Sequence, residues 1–386
     1  MKTLHISSLS ILMLFFFLAT GTGGAATVKN GFPSADKPDK KYIKVALLLD
    51  TSNSMDGLIN QAKAYLWDVV NELSYARCEN KAPGLLIALY EYGNDGLPAR
   101  EGYIRQVTGF TDDLDELSEK LFSLTTNGGS EFCGQVIHTS LKQLDWGRDP
   151  DDLKLIFIAG NEPFTQGEKD YRDVAEDAKE KGIVVNTIHC GGYNTGVRTM
   201  WADGARRTGG EYMAIDHNER IVAIVTPYDA TILQLNEELN NTYIPYGSQG
   251  RAKVGMQLAQ DENAEMVNEE IAVKRAVSKS SGMYKNKNWD LVDAAESDDF
   301  NYKDIKKSEL PPALKDKSPA EIKAYVAKNA KERREIQEKI QELNKKRTVY
   351  IAKENSNTPE TNSLNDAIIK AIRKQAKAKN YTWDKQ

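Results

Sequence analysis

The stretch "LLLDTSNSMDG", residues 47–57, sets Asp50, Ser52 and Ser54 in alternation where an apolar run gives out. In an extended turn every second side chain points the same way. One carboxylate and two hydroxyls then aim at a single point. Hard oxygens of this kind suit a divalent cation such as Mg2+, with Mn2+ or Ca2+ as further candidates. An octahedral ion needs more oxygens than these three, so other loops on the same edge must supply the rest. The same residue types also cap helices. Ser54 or Asp56 is placed to satisfy free N–H groups of a helix beginning near Gly57, and that use is compatible with coordination.

The elements that must position these oxygens read as strands alternating with amphipathic helices. "YIKVALLLD" is a near-continuous apolar run, the mark of a strand covered on both faces. Leu58, Ala62, Leu66, Val69 and Leu73 then recur at helical spacing. "LLIALYEYG" and "YIRQVTGF" are strands joined by turn-rich "NDGLPAREG", a hairpin-like pair at a sheet edge. "LKLIFIAG", "IVVNTIHCGG" and "EYMAI" supply further strands, with "LDELSEKLFSL", "QVIHTSLKQL", "YRDVAEDAKEKG" and "VRTMWADGARRTGG" as helices. This alternation predicts an α/β fold, a doubly wound and mainly parallel sheet, over residues 41–226. In such a sheet ligands bind beyond the carboxyl ends of the strands, where Asp50 lies.

From residue 227 to 386 the alternation stops and a mostly helical region follows. "KVGMQLAQDENAEMVNEEIAVKRAV" reads as one long helix. A later helix opens with Ser318 as cap, Pro319 in its first turn and Glu321 closing a capping box. Its apolar stripe, Ile336, Ile340, Leu343 and Tyr350, is thin for a coiled coil and favours packing on a neighbour. A final helix starts after Ser363. Two roles are open for this half: a support docked on the first domain, or an arm for assembly.

D-x-S-x-S after an apolar first strand, followed later by "NGGSEFCG", resembles the von Willebrand factor A family and its metal-ion-dependent adhesion site. The resemblance covers roughly residues 41–226. It implies a Rossmann-like sheet whose upper edge holds a metal through the two motif serines directly and the motif Asp through water. It implies that Ser130 fills the place of the family's second-loop threonine. The family's third loop brings an Asp after the fourth strand, and here Gly160 of "IFIAGNEPF" stands in its place. Glu131 and Glu162 are the acids positioned to replace it.

Residues 1–26 have a lysine near the start, an apolar centre and small residues at Gly23 to Ala26, the layout of an export signal. Residues 27–40 read as a flexible leader, and no later segment is apolar enough to span a bilayer. The expected location is therefore outside the cytoplasm, periplasmic or secreted, without stable membrane insertion. With 51 basic and 56 acidic residues, the charge balance gives no case for a nucleic-acid partner. His5, His138, His189 and His217 are the only histidines, which argues against a histidine-rich zinc site. In an oxidising compartment three cysteines permit one bridge. Cys133 follows the second ligand loop and Cys190 ends a strand on the same edge, so Cys133–Cys190 is the expected pair and Cys78 the free thiol, with two buried thiols at 133 and 190 as the alternative.

Three functions are consistent with these residues. The leading one is an adhesion module whose cation accepts a carboxylate from a partner protein. The second is a structural envelope component whose site holds no metal, as Gly160 suggests. The third, a hydrolase, lacks a G-x-S-x-G motif and an acid/base pair, so no enzyme is expected.

Overall fold

The first strand, β1 (Tyr42–Asp50), is buried along nearly its whole length because helices cover both sides of it. The structure is a computed structural model and describes residues 40–215, 224–297, 300–355 and 364–384. The expected export signal, leader residues 27–39 and the Ser363 cap lie outside the described residues. The remaining strands are β2 (Ala76–Cys78), β3 (Gly84–Tyr92), β4 (Ile104–Thr111), β5 (Leu153–Gly160), β6 (Ile183–Cys190), β7 (Tyr212–Ile215) and β8 (Tyr381–Trp383). The helices are α1 (Asp56–Ser74), α2 (Leu114–Phe122), α3 (Cys133–Gln143), α4 (Tyr171–Glu180), α5 (Tyr193–Arg198) and α6 (Trp201–Arg207). They continue as α7 (Asp229–Asn240), α8 (Gly250–Val267), α9 (Glu269–Lys279), α10 (Leu291–Ala294), α11 (Pro319–Asn355) and α12 (Leu364–Lys377).

Six strands form one sheet in the order β4-β3-β1-β5-β6-β7, all parallel except β4, which runs antiparallel to β3. This is the doubly wound, mainly parallel sheet that the alternation predicts. In-register pairing sets Asp50 beside Tyr92, so β1 and β3 end together. Side chains alternate across the pleat. Ile43, Val45 and Leu49 face a core shared with α1, α2, α7, α9 and α12, while Ala46 and Leu48 face a second core with α3, α4 and α6.

The C-terminal half packs on the first of these faces, and Lys40–Gln386 form one compact unit. Lys274 of α9 pairs with Asp68 of α1, and Arg373 of α12 with Glu72. The chain end closes the arrangement: β8 pairs antiparallel with β2, a two-stranded sheet with no clear signal in so short a pair of segments. The Ser318 capping box forms, with the Glu321 N–H donating to Ser318 Oγ at 3.3 Å and the Ser318 N–H to Glu321 Oε2 at 2.8 Å. Two helix readings change. The single helix expected over "KVGMQL…VKRAV" is split at Asn268, whose extended backbone ends α8 and whose Oδ1 accepts the Ile271 N–H at 2.9 Å, capping α9. "VRTMWADGARRTGG" likewise divides into α5 and α6 at Met200, which has φ +72°.

Candidate functional site

Asp50 ends β1 with its side chain buried. Its Oδ1 accepts the Ser52 N–H at 2.8 Å, which turns the chain and leaves the Ser52 and Ser54 hydroxyls 3.3 Å apart. A short 3-10 turn, Asn53–Met55, leads into α1. No side chain caps that turn or α1, so the motif serines are not used as helix caps. The hydroxyls sit at the carboxyl edge of the sheet, as the spacing predicts.

A second loop closes on this point from the α2–α3 connection. The Asn127 N–H donates to Thr51 O at 2.9 Å, and the Asp95 N–H to Gly128 O. Gly129 is required there: a Cβ would lie 2.3 Å from Gly93 O, so only a glycine lets the two loops approach. Ser130 follows, half-buried, and then Glu131, which is buried. The Glu131 N–H donates to Gln166 Oε1 at 2.8 Å, tying this loop to the one after β5.

The carboxyls of Asp50 and Glu131 meet inside this enclosure. Burial, and then the neighbouring Glu131, push Asp50 well above the usual carboxylate range. Asp50 Oδ2 is buried and accepts no hydrogen bond from any donor among the described residues. Two carboxyls so placed need either a shared proton or a cation between them, and two serine hydroxyls stand beside them. That donor set fits a hard divalent ion: Asp50 and Glu131 supply charge and Ser52 and Ser54 neutral oxygens, with Ser130 next to Glu131 on the second loop. Among the described residues no three of His, Cys, Asp and Glu gather as a metal cluster, so the site has the two carboxyls and its hydroxyls to work with.

The third loop explains its missing acid. Tyr92 is fully buried, and its hydroxyl donates to Ala159 O at 2.9 Å. A Cβ on Gly160 would meet that hydroxyl at 2.5 Å and Asp50 Oδ2 at 3.2 Å. The tyrosine fills the space an aspartate would need, so Gly160 is a packing consequence of Tyr92. Glu131 brings its carboxyl to Asp50 from the neighbouring loop instead. Glu162 enters through its main chain: its N–H donates to Glu131 Oε2 at 3.3 Å and its carbonyl accepts Trp201 Nε1–H at 2.8 Å. Its carboxylate makes no hydrogen bond or ion pair among the described residues. Tyr92 is the participant that sequence reasoning missed; it comes to lie opposite Asp50 only when β1 and β3 pair in parallel register.

The expected Cys133–Cys190 bridge does not form. All three cysteines are free and buried. Cys133 lies in the core on the α3 side of the sheet, against the Tyr92 hydroxyl at 3.8 Å, and Cys190 in the core on the opposite side. Sharing an edge is not enough when the sheet stands between the two side chains. Burial raises both thiols well above their usual range, which makes them unreactive.

Residues 44–222 match the family model of the von Willebrand factor type A domain. No curated protein matches the chain. Among solved structures, proximal thread matrix protein 1 from the mussel byssus is 12% identical over 46% of this chain and 42% of its own, with a TM-score of 0.35. The chain thus spans less than half of that protein. The conserved hypothetical protein BatB from Bacteroides thetaiotaomicron is 16% identical over 45% of this chain and 90% of its own, with a TM-score of 0.35. The SpRpn10 VWA domain is 14% identical over 47% of this chain and 99% of its own, with a TM-score of 0.34.

Proposed function

We propose, from the match of residues 44–222 to the von Willebrand factor type A domain, that this protein is an exported binding module, not an enzyme. It engages an acidic group of a partner protein through a divalent cation, Mg2+ or Mn2+, held at the upper edge of its sheet. The observation that carries this reading is the buried meeting of Asp50 with Glu131, which leaves Asp50 Oδ2 without a hydrogen bond among the described residues, beside the paired hydroxyls of Ser52 and Ser54. A bound cation supplies a charged open position that accepts the partner's carboxylate. Asp50 and Glu131 hold the charge, Ser52, Ser54 and Ser130 complete the oxygen set, and Gln166 fixes the Glu131 loop.

Tyr92 in place of a third-loop acid favours a second reading, a scaffold that binds no metal. Titration calorimetry of the full chain with Mg2+ and Mn2+ separates the two. The binding reading expects a saturable heat that Asp50→Ala abolishes. No heat from the unaltered protein at millimolar cation leaves the scaffold. A heat that Asp50→Ala does not change places the ion elsewhere.

A further inference from the structure

The surface around Asp50 differs on its two sides, and the difference specifies a partner. Because β3 lies on one side of β1, the loop after β3 borders the serines there. That loop carries Asp95, which is exposed and whose carboxylate makes no hydrogen bond or ion pair among the described residues. A Cβ at Gly128 would lie 3.6 Å from Asp95 Oδ2 and 3.4 Å from Asn53 Nδ2, so this carboxylate stands against the motif turn and the Ser130 loop together. Asp56, also exposed, is held on the same side by the Thr126 hydroxyl.

The other side carries exposed apolar side chains, with Arg198 the charged residue among them. β6 lies beyond β5, and α5 begins just past its end on the same edge. Tyr193, Val197 and Met200 are 61%, 43% and 36% exposed there. The loop after Gly160 joins this surface to the site: the Phe164 N–H donates to Thr199 O at 2.9 Å, and Trp201 bonds the Glu162 carbonyl. Two strand spacings separate β1 from β6, roughly 10 Å. An extended peptide advances about 3.3 Å per residue, so a segment with one residue over Asp50 covers both flanks within about three residues each way.

We propose that the partner segment is an acidic residue flanked by a lysine or arginine on one side and an aromatic or long aliphatic residue on the other. The basic side chain meets Asp95 and Asp56, and the apolar one covers Tyr193, Val197 and Met200. This rests on the binding-module reading above. The central acid alone would be common to very many proteins. The acidic flank rejects uniformly acidic segments by like-charge repulsion, and the apolar flank adds desolvated contact area.

The test is a random-peptide display library panned on the full chain in millimolar Mg2+ and again in EDTA. The expected result is Mg2+-dependent enrichment of acids flanked by basic and apolar residues. Asp95→Lys should exchange the Lys/Arg preference for Glu/Asp and weaken the originally selected peptides about fivefold. Tyr193→Ser should erase the apolar preference. Both residues are exposed, so neither substitution threatens folding. Mg2+-dependent peptides with no flank bias, or a bias untouched by both variants, overturn this inference and leave the binding module standing. No Mg2+-dependent enrichment at all overturns both.

Discussion

Asp50 and Glu131 are acids that the fold brings together in a buried enclosure, and Tyr92 decides which acid can be there. Replacing Glu131 by Gln should lower Mg2+ affinity at least tenfold, read by calorimetry, because one of two charged donors is lost. The same replacement leaves the Gln166 bond to the main chain of residue 131 intact, so circular dichroism should be unchanged. Gly160 gives a sharper test of the packing. Gly160→Ala forces a methyl against the Tyr92 hydroxyl and should cost about 1–3 kcal/mol in urea denaturation. In the double variant with Tyr92→Phe the hydroxyl is gone, so the two costs should be less than additive. The motif Asp50, Ser52 and Ser54 was legible in the sequence because alternation within one short turn needs no tertiary information. Tyr92 was not, because its bearing on Gly160 exists only after β3 pairs with β1.

At the scale of elements, α11 shows why its apolar stripe looked thin. Its buried positions from 322 to 340, namely Ile322, Val326, Asn329, Arg333, Ile336 and Ile340, step by four and three residues, a regular seam in which two members are polar, and Arg347 is buried one heptad further on. Arg333 donates to both carboxylate oxygens of Asp290 at 2.7 and 3.1 Å, to Asp293 Oδ1 at 3.1 Å and to Thr242 O at 2.8 Å. It also lies over the Tyr243 ring at 4.0 Å. A search for apolar periodicity passes over an arginine, although here it is a core residue. Arg333→Ala should cost about 3–5 kcal/mol in chemical denaturation, since it strands two buried acids. Asn268→Ala, at the break between α8 and α9, should cost about 1 kcal/mol through the lost cap. The continuous run of helix-forming residues hid that break, since a capping asparagine inside a helical run carries little weight until its backbone is seen to be extended.

At the scale of the molecule, the C-terminal helices are joined to the domain by buried charge. Arg275 of α9 pairs with Asp115 of α2 and Asp261 of α8, and Lys279 also reaches Asp261. Burial alone would raise the Asp261 carboxyl, but Lys279 and Arg275 outweigh it and hold Asp261 well below the usual carboxylate range. A depressed folded value stabilises the protein fully above the unfolded value, about pH 4, and that contribution disappears as pH falls below it. Urea denaturation from pH 7 downward should therefore show an acid loss of stability that is shallower in Asp261→Asn. Deleting residues 227–386 should leave an insoluble or unfolded product, because α1 and the sheet would expose the core that α7, α9 and α12 now cover.

The sequence alone determined the alternation of strands and helices, the place of the oxygen-bearing turn at the end of β1, and the edge of the sheet on which that turn lies. Those follow from local pattern: near-continuous apolar runs in strands, a spacing near four in helices, and side chains two apart in a turn. The tertiary structure decided that Glu131 meets Asp50, that Tyr92 occupies the room beside Gly160, that the sheet separates Cys133 from Cys190, and that the C-terminal half packs against the domain. Each depends on which face of a strand a side chain takes relative to residues far along the chain, and that is set only when the strands pair.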